Sequence, residues 1–112
     1  MANLINATLT IKFTDLVKLF GEPRKVYKLR GADGKTAYDW NGKLGDGEYT
    51  IYDFKETSLY WPEEEKAPTP KQLREQNHDR WKLQVTDVSV TVALRRLLAE
   101  QDIKYLLTLN RH

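Results

Sequence analysis

The stretch "TAYDWNGKLGDGEYTIYDFKE" (36–56) decides how this chain is read. Two aromatic-rich runs, each holding a Tyr-Asp-aromatic triplet, flank Gly45, Asp46 and Gly47. Aromatic and β-branched residues suit a pleated, half-buried surface, and Asp-Gly is a strong turn signal. The pattern predicts a hairpin with strands over 36–44 and 48–56 and a three-residue loop. In that register Leu44 faces Glu48, Trp40 faces Tyr52 and Tyr38 faces Phe54. The four aromatics then share one face, and Asp39 stands opposite Asp53 on the other.

Like charges placed directly opposite destabilise a sheet. Three readings of the two aspartates follow. The favoured one puts them on a solvated face with lysine neighbours, as one-sided sheets usually do. The second is a recognition surface for a basic partner. The third is an acid/base dyad or a divalent-metal site. A dyad needs burial to separate its two pKa values. A metal needs more oxygen ligands than two, and Asn41 is the other obvious neighbour. The echo of the two triplets therefore argues for a hairpin rather than for catalysis.

Working outward, "GADGK" (31–35) is another turn and "KVYKL" (25–29) another strand, which completes a meander. Upstream, "TLTIKF" (8–13) alternates as a strand. "TDLVKLFGEP" then shifts to helical spacing, with Thr14 as N-cap, Leu16, Leu19 and Phe20 on one face, and Gly21 and Pro23 as the stop. Downstream, Thr57 to Pro70 breaks the pattern with three prolines and reads as a long loop. Thr69 and Pro70 signal a short helix over 70–77. "DRWKLQV" (79–85) alternates as a strand. Asp87 or Ser89 caps a helix whose apolar face is Val92, Leu94, Leu97 and Leu98. The segment 102–112 reads equally as helix or as a short strand over "KYLLTL". The sum is one α+β domain over 1–112: a single antiparallel sheet of about five strands, with helices at 15–20 and 89–100 packed on one face.

The 112 residues allow one domain, not two ordinary ones. A formal net charge of +2 neither demands nor forbids nucleic acid. Cysteine is absent, which removes disulfides, thiolate catalysis and cysteine-ligated zinc. The first residues lack the pattern of a secretory signal, and no apolar run is long enough to cross a bilayer, so a cytoplasmic protein is expected. His78 and His112 are far apart, Ser58 and Ser89 lack a nucleophile-elbow context, and "GADGKT" is too short for a phosphate loop. No cofactor, no metal and no enzymatic activity are expected.

Two surfaces remain. "LYWPEEEK" (59–66) sets Tyr60 and Trp61 before a proline and the acids Glu63, Glu64 and Glu65. An exposed Trp beside a polar rim is the profile of a binding hot spot, and an acidic run can mimic phosphates. Asp39 and Asp53 add charge to this partner-binding set. The alternative is RNA or single-stranded DNA held by Arg24, Lys25, Lys28 and Arg30, with Tyr27 for stacking. A metal-dependent hydrolase using the aspartates ranks last.

The order of Phe20 to Pro23, then Trp40, then Thr50 to Lys55, then Trp81 resembles small uncharacterised bacteriophage-encoded accessory proteins. The likeness spans most of the chain and departs at "QVTDVS" (84–89). It carries over no catalytic residue. It implies a viral accessory protein acting in the host cytoplasm, from a class rich in inhibitors of host enzymes and of bacterial immunity. Together with the surface reading, it gives the expectation of a non-catalytic binder that blocks a basic, nucleic-acid-binding groove of a host protein.

Overall fold

A computed structural model of the chain describes residues 4–63 and 67–110. Its centre is one antiparallel sheet of six strands, one more than the sequence suggests. The chain order is β1 (Ile5–Thr10), α1 (Phe13–Phe20), β2 (Arg24–Lys25), a 3-10 turn (Val26–Lys28), β3 (Tyr38–Leu44), β4 (Gly47–Tyr52), α2 (Pro70–Glu75), β5 (Arg80–Val85), α3 (Val88–Glu100) and β6 (Leu106–Leu109). Across the sheet the order is β2-β3-β4-β5-β1-β6. The expected meander is therefore present, although the strand predicted over 25–29 shrinks to two residues before the turn. The ambiguous C-terminal segment supplies the sixth strand, pairing Thr8 with Thr108.

The hairpin register differs from the expected one by a single residue. Leu44 pairs with Gly47, Trp40 with Ile51 and Asp39 with Tyr52. The loop is two residues, Gly45 and Asp46, not three. Gly45 has φ +60°, which fits a tight turn with glycine first, whose twist matches that of the flanking strands. A slip of one moves every side chain of β4 to the other face. Tyr38 and Trp40 thus share the helix-covered face with Tyr49 and Ile51, while Tyr52 and Phe54 go to the open side. Asp39 and Asp53 do not face each other.

The covered face carries the core: Ala7 and Leu9, Trp40, Ile51, Trp81, Leu83, Val85 and Leu107 are all buried. Phe13 plugs one end, with its ring 5.1–5.5 Å from those of Tyr38, Trp40 and Trp81 in edge-on geometry. Such pairs add about 0.5–1.5 kcal/mol each beyond area burial. Every polar tip in this cluster is satisfied. Trp81 donates to the Ile11 carbonyl, Trp40 to that of Gly21 and Tyr38 to that of Pro70. These bonds tie both α1 and α2 to the sheet. A two-pronged pair between Arg74 and Glu22 adds a surface clamp between α2 and the residue after α1's stop.

Three local expectations are corrected. First, α1 starts at Phe13, with Lys12 rather than Thr14 at the N-cap. The Thr14 amide is answered from outside the helix, by the Asn77 side chain at 3.0 Å, so no local cap is required. Second, α3 is capped by Asp87 and buries Val90, Thr91, Leu94 and Leu98, leaving Val92 exposed. Val92 is two residues from Leu94 and so lies on nearly the opposite side of a 3.6-residue turn. Third, α2 is six residues long rather than eight, but its predicted Thr69 cap and Pro70 start are present as a full capping box with Gln72.

Candidate functional site

The loop after β4 is irregular, yet it is tied down. Lys55 adopts φ +58° and its amide donates to the Lys35 carbonyl at 2.6 Å. Tyr60 and Trp61 both donate backbone amides to the Thr57 carbonyl, and Ser58 donates to Pro68 across the loop. Leu59 packs its carbonyl against Gly34, where a Cβ would come within 2.6 Å of that oxygen. Gly34 has φ +80°, so glycine is required there twice over, by conformation and by space.

On this frame stands an aromatic ridge. Trp61 is 46% exposed, and its indole N–H donates to the Lys55 carbonyl at 2.8 Å. Its ring meets that of Tyr60 edge-on at 4.7 Å. The Lys55 ammonium lies 4.9 Å from the Tyr60 ring centre and 5.1 Å from that of Phe54. Phe54 in turn meets Tyr52 edge-on at 6.3 Å. Tyr52, Phe54, Tyr60 and Trp61 therefore form one continuous ridge, with a cation inserted in it. Tyr60, Trp61, Pro62 and Glu63 line an open depression of about 390 Å³. Glu64 and Glu65, the other acids of the predicted run, lie outside the described residues.

Both aspartates are buried, not solvated. Asp39 takes both prongs of the Arg24 guanidinium, at 2.9 and 2.6 Å. Asp53, 1% exposed, accepts the backbone amides of Ala37 and Tyr38. Burial pushes its carboxyl above the ordinary aspartate value, and those amides pull it part of the way back. Each carboxylate is consumed by an internal partner. Among the described residues no three His, Asp or Glu side chains come together as a metal site.

In the basic segment, Arg24 is committed to Asp39, and Tyr27 is half-buried with its ring 5.6 Å from that of Tyr38. Burial, then the neighbouring Tyr27, pushes the Tyr38 hydroxyl up to about 12. Lys25, Lys28 and Arg30 are exposed. His78 stacks edge-on against Trp81 at 5.0 Å, and its Nε2 bonds the Arg80 carbonyl. No described helix is long and apolar enough to cross a membrane.

Sequence reasoning missed Phe54 and Lys55 as members of the ridge. The three-residue loop expected from the sequence places Phe54 on one face with Tyr38 and Trp40, whereas the observed register turns it to the open side. The role of Lys55 depends on a left-handed backbone that no local residue pattern announces.

No family model, curated protein or solved structure matches the chain. The class defined by fold and site is thus an α+β scaffold presenting an anchored aromatic ridge.

Proposed function

We propose that this protein is a non-catalytic protein-binding accessory protein whose contact surface is the ridge of Tyr60 and Trp61, extended by Phe54 and Lys55 and rimmed by Glu63. The observation that carries the reading is the state of Trp61. Its ring is nearly half exposed while its N–H is already held by Lys55. An exposed aromatic fixed in advance loses little freedom on binding, which is what a hot-spot residue needs. Asp39 and Asp53 belong to the scaffold in this reading, because their carboxylates are engaged internally.

The run of acids from Glu63 to Glu65 in the sequence of the arm favours a partner with a basic surface, of the kind that binds nucleic acid. The likeness to phage accessory proteins supports an inhibitory role in a host cytoplasm. Nucleic-acid binding through the segment from Arg24 to Arg30 has less support, since Arg24 and Tyr27 are engaged elsewhere.

The test is an affinity capture from host lysate with the intact chain and with Trp61→Ala, followed by mass spectrometry. A captured protein that is lost with Trp61→Ala supports the reading. Capture that survives Trp61→Ala, or that consists of nuclease-sensitive RNA and disappears when Lys28 and Arg30 are reversed to Glu, overturns it.

A further inference from the structure

The side chains of the open sheet face alternate with the buried Ala7, Ile51, Leu83 and Leu107 of the covered one. The strand registers set them in rows. One row crosses all six strands: Arg24, Asp39, Tyr52, Lys82, Thr8 and Thr108. A second row beside it is uncharged and carries Asn41, Thr50, Gln84 and Asn6. Arg80 and Thr10 are paired on the other flank, next to Phe54.

The carboxylates of this face are already matched to cations. Asp39 takes the Arg24 guanidinium, and Glu56 takes that of Arg80 at 3.3 Å. Glu48 stands opposite Lys43 at the hairpin end. Lys82 is exposed in the middle of the first row and makes no ion pair among the described residues. Two depressions of about 150 and 200 Å³ adjoin there, and Phe54 and Lys82 line both. The first adds Thr8 and Arg80; the second adds Asn6, Tyr52 and Asn110. Phe54 is 40% exposed and meets Tyr52 edge-on.

We propose that this open face binds single-stranded RNA. The two depressions receive neighbouring bases, one on either side of the divide that Phe54 and Lys82 make. Phe54 supplies a ring for stacking, which every base offers in return, so the site is tolerant of sequence. Lys82, standing between the two depressions, meets the phosphate that links the bases. The amides of Asn6 and Asn110 both donate and accept, and so match base edges and the ribose 2′-hydroxyl, the group that distinguishes RNA from DNA. A duplex keeps its bases stacked inside and would leave the exposed ring unused. This site shares Tyr52 and Phe54 with the ridge but uses neither Tyr60 nor Trp61. Two strands separate β5, which carries Lys82, from β2 and the basic segment that follows it.

The test is fluorescence anisotropy of the full chain with labelled oligo(U), oligo(A) and their deoxy counterparts, each of about eight nucleotides. Both RNA oligomers should bind, and the deoxy oligomers should bind about tenfold more weakly. Phe54→Ala should weaken binding by about tenfold. Lys82→Ala should weaken it too, and should flatten the log–log salt dependence by about 0.7, the share of one phosphate on a single strand. Both variants replace exposed side chains, and matched melting curves check that the fold is kept. Trp61→Ala, and reversal of Lys28 and Arg30 to Glu, should leave the affinity unchanged. Any of four results overturns the proposal: no saturable binding; an affinity indifferent to Lys82→Ala; deoxy oligomers bound as tightly as RNA; or a captured host protein lost with Lys82→Ala while no oligomer binds. Such a failure leaves the reading of Trp61 as a protein contact standing, since that rests on its own variant.

Discussion

The carboxylate of Asp53 accepts the backbone amide of Tyr38 at 2.7 Å, together with that of Ala37 at 3.0 Å. β4 ends one residue earlier, at Tyr52, and β3 begins at Tyr38. The side chain thus takes over where the ladder stops and satisfies amides that would otherwise be buried without partners. One aspartate of the Tyr-Asp echo is a strand-end cap, and the other is an ion-pair partner.

Asp53→Asn should therefore destabilise the fold by about 1–3 kcal/mol, since an amide keeps one acceptor oxygen and turns an NH₂ group toward donors. The pH dependence has a definite sign. The folded-state pKa is raised, so the native state holds this proton more tightly than the unfolded chain does. The contribution of Asp53 is most favourable below the ordinary aspartate value and falls as pH rises through the folded-state pKa. Urea unfolding of both proteins from acid to neutral pH checks this. The stability advantage of the native protein over Asp53→Asn should shrink across that window, and a constant difference would refute the assignment.

Arg24→Ala leaves Asp39 buried without its two charge-assisted bonds. The guanidinium side chain is 56% exposed, so solvent screens much of the attraction, and a loss of about 1 kcal/mol is expected. Adding Asp39→Asn to Arg24→Ala should restore part of that loss. A double-mutant cycle at low and high salt measures the coupling, which should diminish as salt is added.

At Gly34, alanine meets the Leu59 carbonyl and an unfavourable φ together. The cheapest escape is to displace the arm rather than the sheet. Gly34→Ala should cost about 1–2 kcal/mol and raise the rate of proteolytic cleavage within 57–69. Equal thermal stability and equal cleavage in the two proteins would show that the arm is not anchored there.

Trp40 and Trp81 are buried, whereas Trp61 is not. Acrylamide should quench one of the three indoles readily, and Trp61→Phe should remove that component and leave a blue-shifted, protected spectrum. Because Trp61 contributes little to the core, its replacement should change stability by about 0.5 kcal/mol or less, in keeping with a surface position.

Much of the fold could be read locally. Alternation marked β1 and β5, aromatic-rich runs about an Asp-Gly turn marked β3 and β4, the cap signal at Thr69 set the start of α2, and Asp87, one of the two caps offered with Ser89, starts α3. These features are encoded within a few residues, because side-chain period, turn chemistry and capping are short-range effects. The arm was legible in the same way, since Pro62 and Pro68 interrupt any strand or helix before Pro70 opens α2.

What the sequence by itself determined was the α+β class and the kind and order of most elements, the 3-10 turn at Val26–Lys28 and the strand β6 excepted. What only the tertiary structure decided was which side of β4 faces inward. Both candidate registers keep the alternation of period two, and each face of the second strand carries large apolar residues: Tyr49 and Ile51 on one, Tyr52 and Phe54 on the other. The hairpin alone cannot choose between them. The choice falls to residues far away in the chain, when Phe13 and Trp81 pack against Tyr38 and Trp40. That packing buries one aromatic pair and leaves the other at the surface, as part of the ridge.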